Sequence, residues 1–176
     1  LHMFDVDLPG GESYRESDYY SPGSKAVLAD IVPGGVPARL GFSICYDLRF
    51  PALYWALASA GANKNAIPAA FTKQTGEAHW HVLLRARAIE TGSYVFAATQ
   101  GGLHENGRST FGHSMIISPW GEILAEASAD PCVVFAEIDL ARVEDVRARI
   151  PALKHGRAFD LEIATSTDEA ARLQAS

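Results

Sequence analysis

The 176-residue chain is 48% apolar and 20% charged, a balance that suits one packed domain with a sizeable core. Its net charge of −6 is spread along the sequence with no run of Lys or Arg, so nucleic acid is not an expected partner. There is no apolar stretch near the roughly 18 residues of a membrane span and no signal-peptide pattern at Leu1-His2-Met3-Phe4-Asp5, and the two cysteines lie far apart, which together predict a cytoplasmic protein with no membrane contact and no disulfide framework.

Leu1 to Lys25 is polar and rich in Gly, Pro, Ser and Tyr, and reads as a long surface loop carrying Glu12 and Glu16. Ala26 to Val32 and Ala38 to Cys45 read as strands joined by Pro33-Gly34-Gly35. In the second, Leu40, Phe42 and Ile44 alternate with Gly41, Ser43 and Cys45, so the apolar trio is expected to face the core and the small residues a ligand. Phe50 to Ala60 reads as a helix, with Pro51 favoured in its first turn. Ala66 to Ala69 is a short strand candidate, whereas Asn63-Lys64-Asn65 suits a central strand poorly. Gly76 to Thr91 carries Trp80, Leu84 and Ala88 four residues apart, which predicts a helix with one buried stripe. Gly101 to Gly107 reads as a flexible loop. Tyr94 to Thr99, Ser114 to Ser118, Ile123 to Ala127 and Cys132 to Ile138 read as strands, with Pro119-Trp120-Gly121-Glu122 as a turn and Cys132 as a core residue. Leu140 to Ile150 predicts an amphipathic helix, and Ser166-Thr167-Asp168-Glu169 has the capping-box pattern of a last short one. Strands mixed with helices imply an α/β layered architecture.

Cys45 stands after a strand and just before a helix, the order of a nucleophile elbow. Backbone N–H groups and the positive helix end there are expected to favour the thiolate, which can attack an amide or nitrile carbon. The N–H of Tyr46 adjoins the sulfur and is the natural first donor to an oxyanion. On the residues alone, a buried packing cysteine fits the position equally. His79 and His81 lie two apart on a helix and point to different faces, so no metal site is expected from them.

The segment Cys45-Tyr46-Asp47-Leu48-Arg49-Phe50-Pro51 resembles the motif around the nucleophile of the nitrilase superfamily, in particular its omega-amidase-like and Nit-type branch. His2-Met3-Phe4-Asp5-Val6-Asp7, Pro68-Ala69-Ala70-Phe71-Thr72 with Ala78-His79-Trp80, and Gly112-His113-Ser114 with Pro119-Trp120-Gly121-Glu122 agree in order and spacing, over about Leu1 to Arg157. The resemblance implies a four-layer α-β-β-α sandwich and a Glu-Lys-Cys triad, of which Cys45 alone is in this sequence. The lysine is expected directly before Leu1 and the glutamate farther upstream, so the chain matches the C-terminal part of such a protein and by itself is expected to be inactive. Lys25, Lys64, Lys73 and Lys154 match no catalytic position.

By the same resemblance Glu16 matches an additional active-site glutamate, Phe71 and Thr72 are candidate substrate contacts, and His79 and His113 take supporting positions behind the thiol. Arg49 fits both a substrate carboxylate and an ion pair that pins the elbow to Asp47 or a helix carboxylate. Two departures stand out: Asn63-Lys64-Asn65 replaces an acidic residue followed by an apolar strand, and His81 stands where the branch commonly has glutamate. The implied unit is a hydrolase domain over 1–157 with a tail over 158–176. It would cleave a small carboxamide to acid and ammonia through a cysteine thioester, without cofactor or metal, as a homodimer or higher homo-oligomer. The alternatives are a noncatalytic binding module that keeps the fold, and a redox thiol.

Overall fold

The computed structural model describes residues 1–163, and regular structure starts earlier in it than composition suggests. Within the opening segment read as a loop, β1 (Asp5–Asp7) pairs antiparallel with β2 (Ser13–Arg15). Arg15 closes the ribbon by donating from Nη2 to both carboxylate oxygens of Asp7, at 2.8 and 3.0 Å. Strands of three residues are too short to display a period of two, which is why the sequence hides them.

Then come β3 (Val27–Ile31) and β4 (Ala38–Phe42), followed by α1 (Pro51–Ser59), β5 (Lys64–Ala66), α2 (Lys73–Thr91) and β6 (Tyr94–Ala97). The expected loop at Gly101 is a second small hairpin, β7 (Gly101–Leu103) with β8 (Ser109–Phe111). The chain continues through β9 (Met115–Ile117), β10 (Ile123–Glu126), α3 (Ala141–Arg149) and α4 (Ala152–His155). Six strands make the main sheet in the order β10-β9-β6-β5-β4-β3, with β4, β5 and β6 parallel and the outer neighbours antiparallel.

α1 and α2 cover one face of this sheet, and Leu53, Leu57, Trp80, Leu84 and Ala88 pack there on Val95, Ala97, Met115 and Ile117. Trp80, Leu84 and Ala88 are fully buried, as their spacing of four requires. Of the four layers implied by the resemblance, the described residues form one α and one β layer.

The expected facing of β4 is inverted. Gly41 and Ser43 are buried beneath α1, while Phe42 and Ile44 are 42% and 66% exposed on the other face. The cause is helix approach: a Cβ on Gly41 would lie 3.1 Å from the Leu57 side chain and 2.7 Å from Asn65 Oδ1, so α1 can settle on this strand only over small residues.

Two further expectations change. Lys64 and Asn65 do form a central strand, in register with Leu40 and Gly41 on one side and Tyr94 and Val95 on the other. Asn65 is fully buried with both side-chain polar atoms unpartnered among the described residues, and burial pushes the Lys64 ammonium below its usual range. Cys132 to Ile138 is not a strand: Cys132 is exposed rather than core, as are Val133 and Phe135, because among the described residues no strand pairs with the segment. The short helix expected at Ser166 lies outside the described residues. Among those described, no helix is long and apolar enough to cross a membrane.

Candidate active site

After β4 the backbone N–H of Cys45 donates to Pro68 O at 2.8 Å, and Cys45–Arg49 winds into a 3-10 turn that runs into α1 at Pro51. Cys45 has φ of 46°, a left-handed conformation that costs a side-chain-bearing residue about 1–2 kcal/mol and persists only where the surroundings enforce it. The enforcement is visible at both ends of the turn. Buried Asp47 accepts from the backbone N–H groups of Ile44 and His2, each at 2.9 Å, and from His2 Nδ1 at 2.8 Å. Burial alone would raise the Asp47 carboxyl, but these hydrogen bonds outweigh it and hold the group below its usual range. From α2, buried Arg87 donates from Nε and Nη2 to Leu48 O at 3.0 and 2.9 Å.

The turn presents Cys45 to an open cleft of about 1310 Å³ whose walls include Glu16, Tyr46, Ala70, Gln100 and Arg108. Glu16 is held by the Phe4 N–H, which donates to its Oε2 at 2.8 Å. The ring of Tyr46 packs edge-on against Phe4 and Phe50, with centroids 5.2 and 5.4 Å away. Arg108 donates from Nη2 to Ala70 O at 2.7 Å and lies over the Tyr14 ring.

The thiol departs from the expectation that its position favours thiolate. Burial raises the Cys45 pKa most, the Glu16 carboxylate adds to that, and hydrogen bonds from the backbone at Ala70 and Tyr46 together with the charge of Arg108 offset only part. The net effect is a thiol held above its usual range, with the backbone at Ala70 a contributor that has no signal in the sequence. Lys25 is the one lysine of the described residues that lines this cleft.

The remaining expected site residues fall in different places. Arg49 does not pair with Asp47; its guanidinium lies 5.3 Å over the Phe71 ring and donates to His79 Nδ1 at 3.3 Å. Phe71 and Arg49 line a small pocket beside Cys45 and Tyr46. Phe71 is otherwise a core residue against Trp80, and Thr72 is buried as the N-cap of α2, accepting from the Thr75 N–H at 3.3 Å. A Cβ on Gly76 in that first helical turn would collide with Phe111, so glycine lets α2 lie against β8. His79 is exposed, and His113 turns away from the cleft toward His81 and Glu126, although its neighbour Ser114 lines the cleft. Arg87 and Arg108 had no local signal in the sequence, since a helix arginine and a loop arginine are ordinarily solvated.

Residues 1–148 match the family model described as carbon-nitrogen hydrolase. Deaminated glutathione amidase of Yersinia enterocolitica is 45% identical over 158 residues, covering 89% of this chain and 54% of that protein. The crystal structure of the Caenorhabditis elegans NitFhit protein is similar with a TM-score of 0.79 and 43% identity, over 89% of this chain and 37% of its own. An amidase mutant from Nesterenkonia sp. AN1, solved as the result of Michael addition of acrylamide at its active site cysteine, is similar with a TM-score of 0.62 and 29% identity over 84% and 55%. The chain spans about half the length of the curated relatives it matches.

Proposed function

The chain belongs to the carbon-nitrogen hydrolase family, and from that premise we propose that the complete protein hydrolyses a small carboxamide to acid and ammonia with Cys45 as nucleophile. The carrying observation is the left-handed Cys45, which lines the cleft together with Glu16, Tyr46 and Ala70. In this reading the Cys45 thiol gives its proton to a base as Sγ bonds to the amide carbon. The developing oxyanion is met by the Tyr46 and Ala70 N–H groups. The C–N bond then breaks, ammonia leaves with the proton, and water hydrolyses the thioester to restore the thiol.

The raised Cys45 pKa explains why such a site needs a base and a cation beside the sulfur. The resemblance assigns these to a glutamate and a lysine upstream of Leu1, with Glu16 orienting water or the leaving amine. The hydrolase unit is taken as 1–157 followed by a tail. The names of the relatives suggest an amide of the deaminated-glutathione kind, and Arg108 is the cleft residue suited to an anionic group on it. A homodimer or higher homo-oligomer in the cytoplasm completes the reading, since a free thiol nucleophile suits a reducing compartment.

The test is ammonia release from small amides by the complete protein, by its Cys45→Ala variant, and by residues 1–176 alone. Turnover by the complete protein, its loss in the variant, and turnover slower by several orders of magnitude in the short chain are expected. Substantial turnover without the thiol would remove the mechanism.

A further inference from the structure

We propose that His81, His113 and Glu126 form a binding site for a divalent transition metal ion, Zn²⁺ foremost, through His81 Nε2, His113 Nδ1 and a carboxylate oxygen of Glu126. The three residues are 32 and 13 positions apart in sequence (His81 to His113, His113 to Glu126), on α2, on the turn after β8 and on β10. Their donor atoms nevertheless lie within 4.8 Å of one another. Glu126 Oε1 accepts from His81 Nε2 at 2.8 Å and from His113 Nδ1 at 2.7 Å, so both imidazoles already aim at one point.

Two imidazoles and a carboxylate are a borderline donor set that suits Zn²⁺ and its neighbours rather than Mg²⁺ or Ca²⁺. Bonds of about 2.0–2.2 Å around a tetrahedral ion separate ligand atoms by about 3.3–3.5 Å. Inserting the ion therefore asks the two Glu126 contacts to open by about 0.5–0.8 Å and the two imidazole donors, no more than 4.8 Å apart, to settle at a similar spacing, adjustments within reach of side-chain rotation. The three side chains are each about one-third exposed, at 35%, 32% and 32%, which leaves an entry path and a fourth position for water.

The backbone behind the donors is tied by hydrogen bonds. Trp80 Nε1 donates to His113 O at 2.8 Å, the His113 N–H donates to Ser128 O at 3.1 Å, and the Ala127 N–H donates to Ser114 O at 2.8 Å. His113 itself is held at φ of 62°, and the Phe111 ring stacks on its imidazole at 4.3 Å.

The test titrates Zn²⁺ into chelator-treated protein by calorimetry, beside His81→Gln, His113→Gln, Glu126→Gln and Cys45→Ala. One equivalent should bind to the parent. Binding should weaken at least about tenfold in each of the first three variants and stay unchanged in Cys45→Ala. Saturating Zn²⁺ should raise the Tm of the parent and of Cys45→Ala but not of His81→Gln, whose half-exposed helix position keeps the fold intact by circular dichroism. In the parent, the imidazole ¹⁵N resonances of His81 and His113 should shift together on titration. Absence of stoichiometric binding, binding that survives His81→Gln and Glu126→Gln, or binding that disappears with the Cys45 thiol would each overturn the assignment.

Discussion

Cys45 and His113 are the non-glycine residues of the described chain with left-handed backbones, at φ of 46° and 62°, and the two turns are held in different ways. Around Cys45 the restraints centre on two buried charged side chains: Asp47 collects three hydrogen bonds from Ile44 and His2, and Arg87 reaches across from α2 to Leu48 O. Around His113 the backbone is tied by Trp80 and Ser128, but the side chain sits in a half-exposed cluster with His81 and Glu126. Strain of similar size is thus maintained in one case by charge-assisted bonds to a buried carboxylate and in the other by main-chain bonds beside a part-exposed side chain. Buried restraints cost more to remove, because each leaves a desolvated group without a partner.

The largest effect expected from breaking this contrast is catalytic. Cys45→Ala in the complete protein should lower kcat for amide hydrolysis at least about a thousandfold while far-UV circular dichroism stays unchanged. A loss of fold would mean that the thiol packs rather than reacts.

Next comes Asp47→Asn, which should cost about 2–3 kcal/mol in urea unfolding at pH 7, since hydrogen bonds to a buried charge are replaced by weaker ones. Its pH dependence has a definite sign. The folded-state pKa of Asp47 lies below the usual 3.8, so its stabilisation is fully present above 3.8 and is lost as pH falls through the lower folded value. The gap between parent and variant should therefore narrow as pH drops below about 4, and a gap constant from pH 7 to pH 3 would contradict the role given to the carboxylate.

Arg87→Met keeps much of the aliphatic stem but leaves Leu48 O without its donor, at an expected cost of about 1–3 kcal/mol in the same assay. It should also perturb the elbow, seen as a changed alkylation rate of Cys45; an unchanged rate would separate the arginine from the site. The smallest effect is expected for His113→Gly, where relief of about 1–2 kcal/mol of left-handed strain offsets the added chain entropy and the lost contact to Glu126. Thermal unfolding without metal should place it within about 1 kcal/mol of the parent, and a much larger loss would show that the imidazole, not the backbone, holds the turn.

Local signals were legible. The succession of strand, thiol and proline-led helix marked the elbow, and the spacing of Trp80, Leu84 and Ala88 marked the buried stripe of α2, since periodicity and turn chemistry act over a few residues. The motifs around Cys45, Phe71 and His113 carried the resemblance to the family that the chain matches over residues 1–148. Tertiary structure alone decided which face of β4 turns inward, because alternation defines two faces and the approach of Leu57 to Gly41 selects between them. It also made a central strand of Lys64–Ala66 through pairing with β4 and β6, against the preference of Lys and Asn for other structure. The same holds for Arg87 on Leu48 and for the meeting of His81, His113 and Glu126, whose partners stand 13 to 45 residues apart. No local pattern records such contacts; they exist only once the packing of helices on the sheet has set the directions of the side chains.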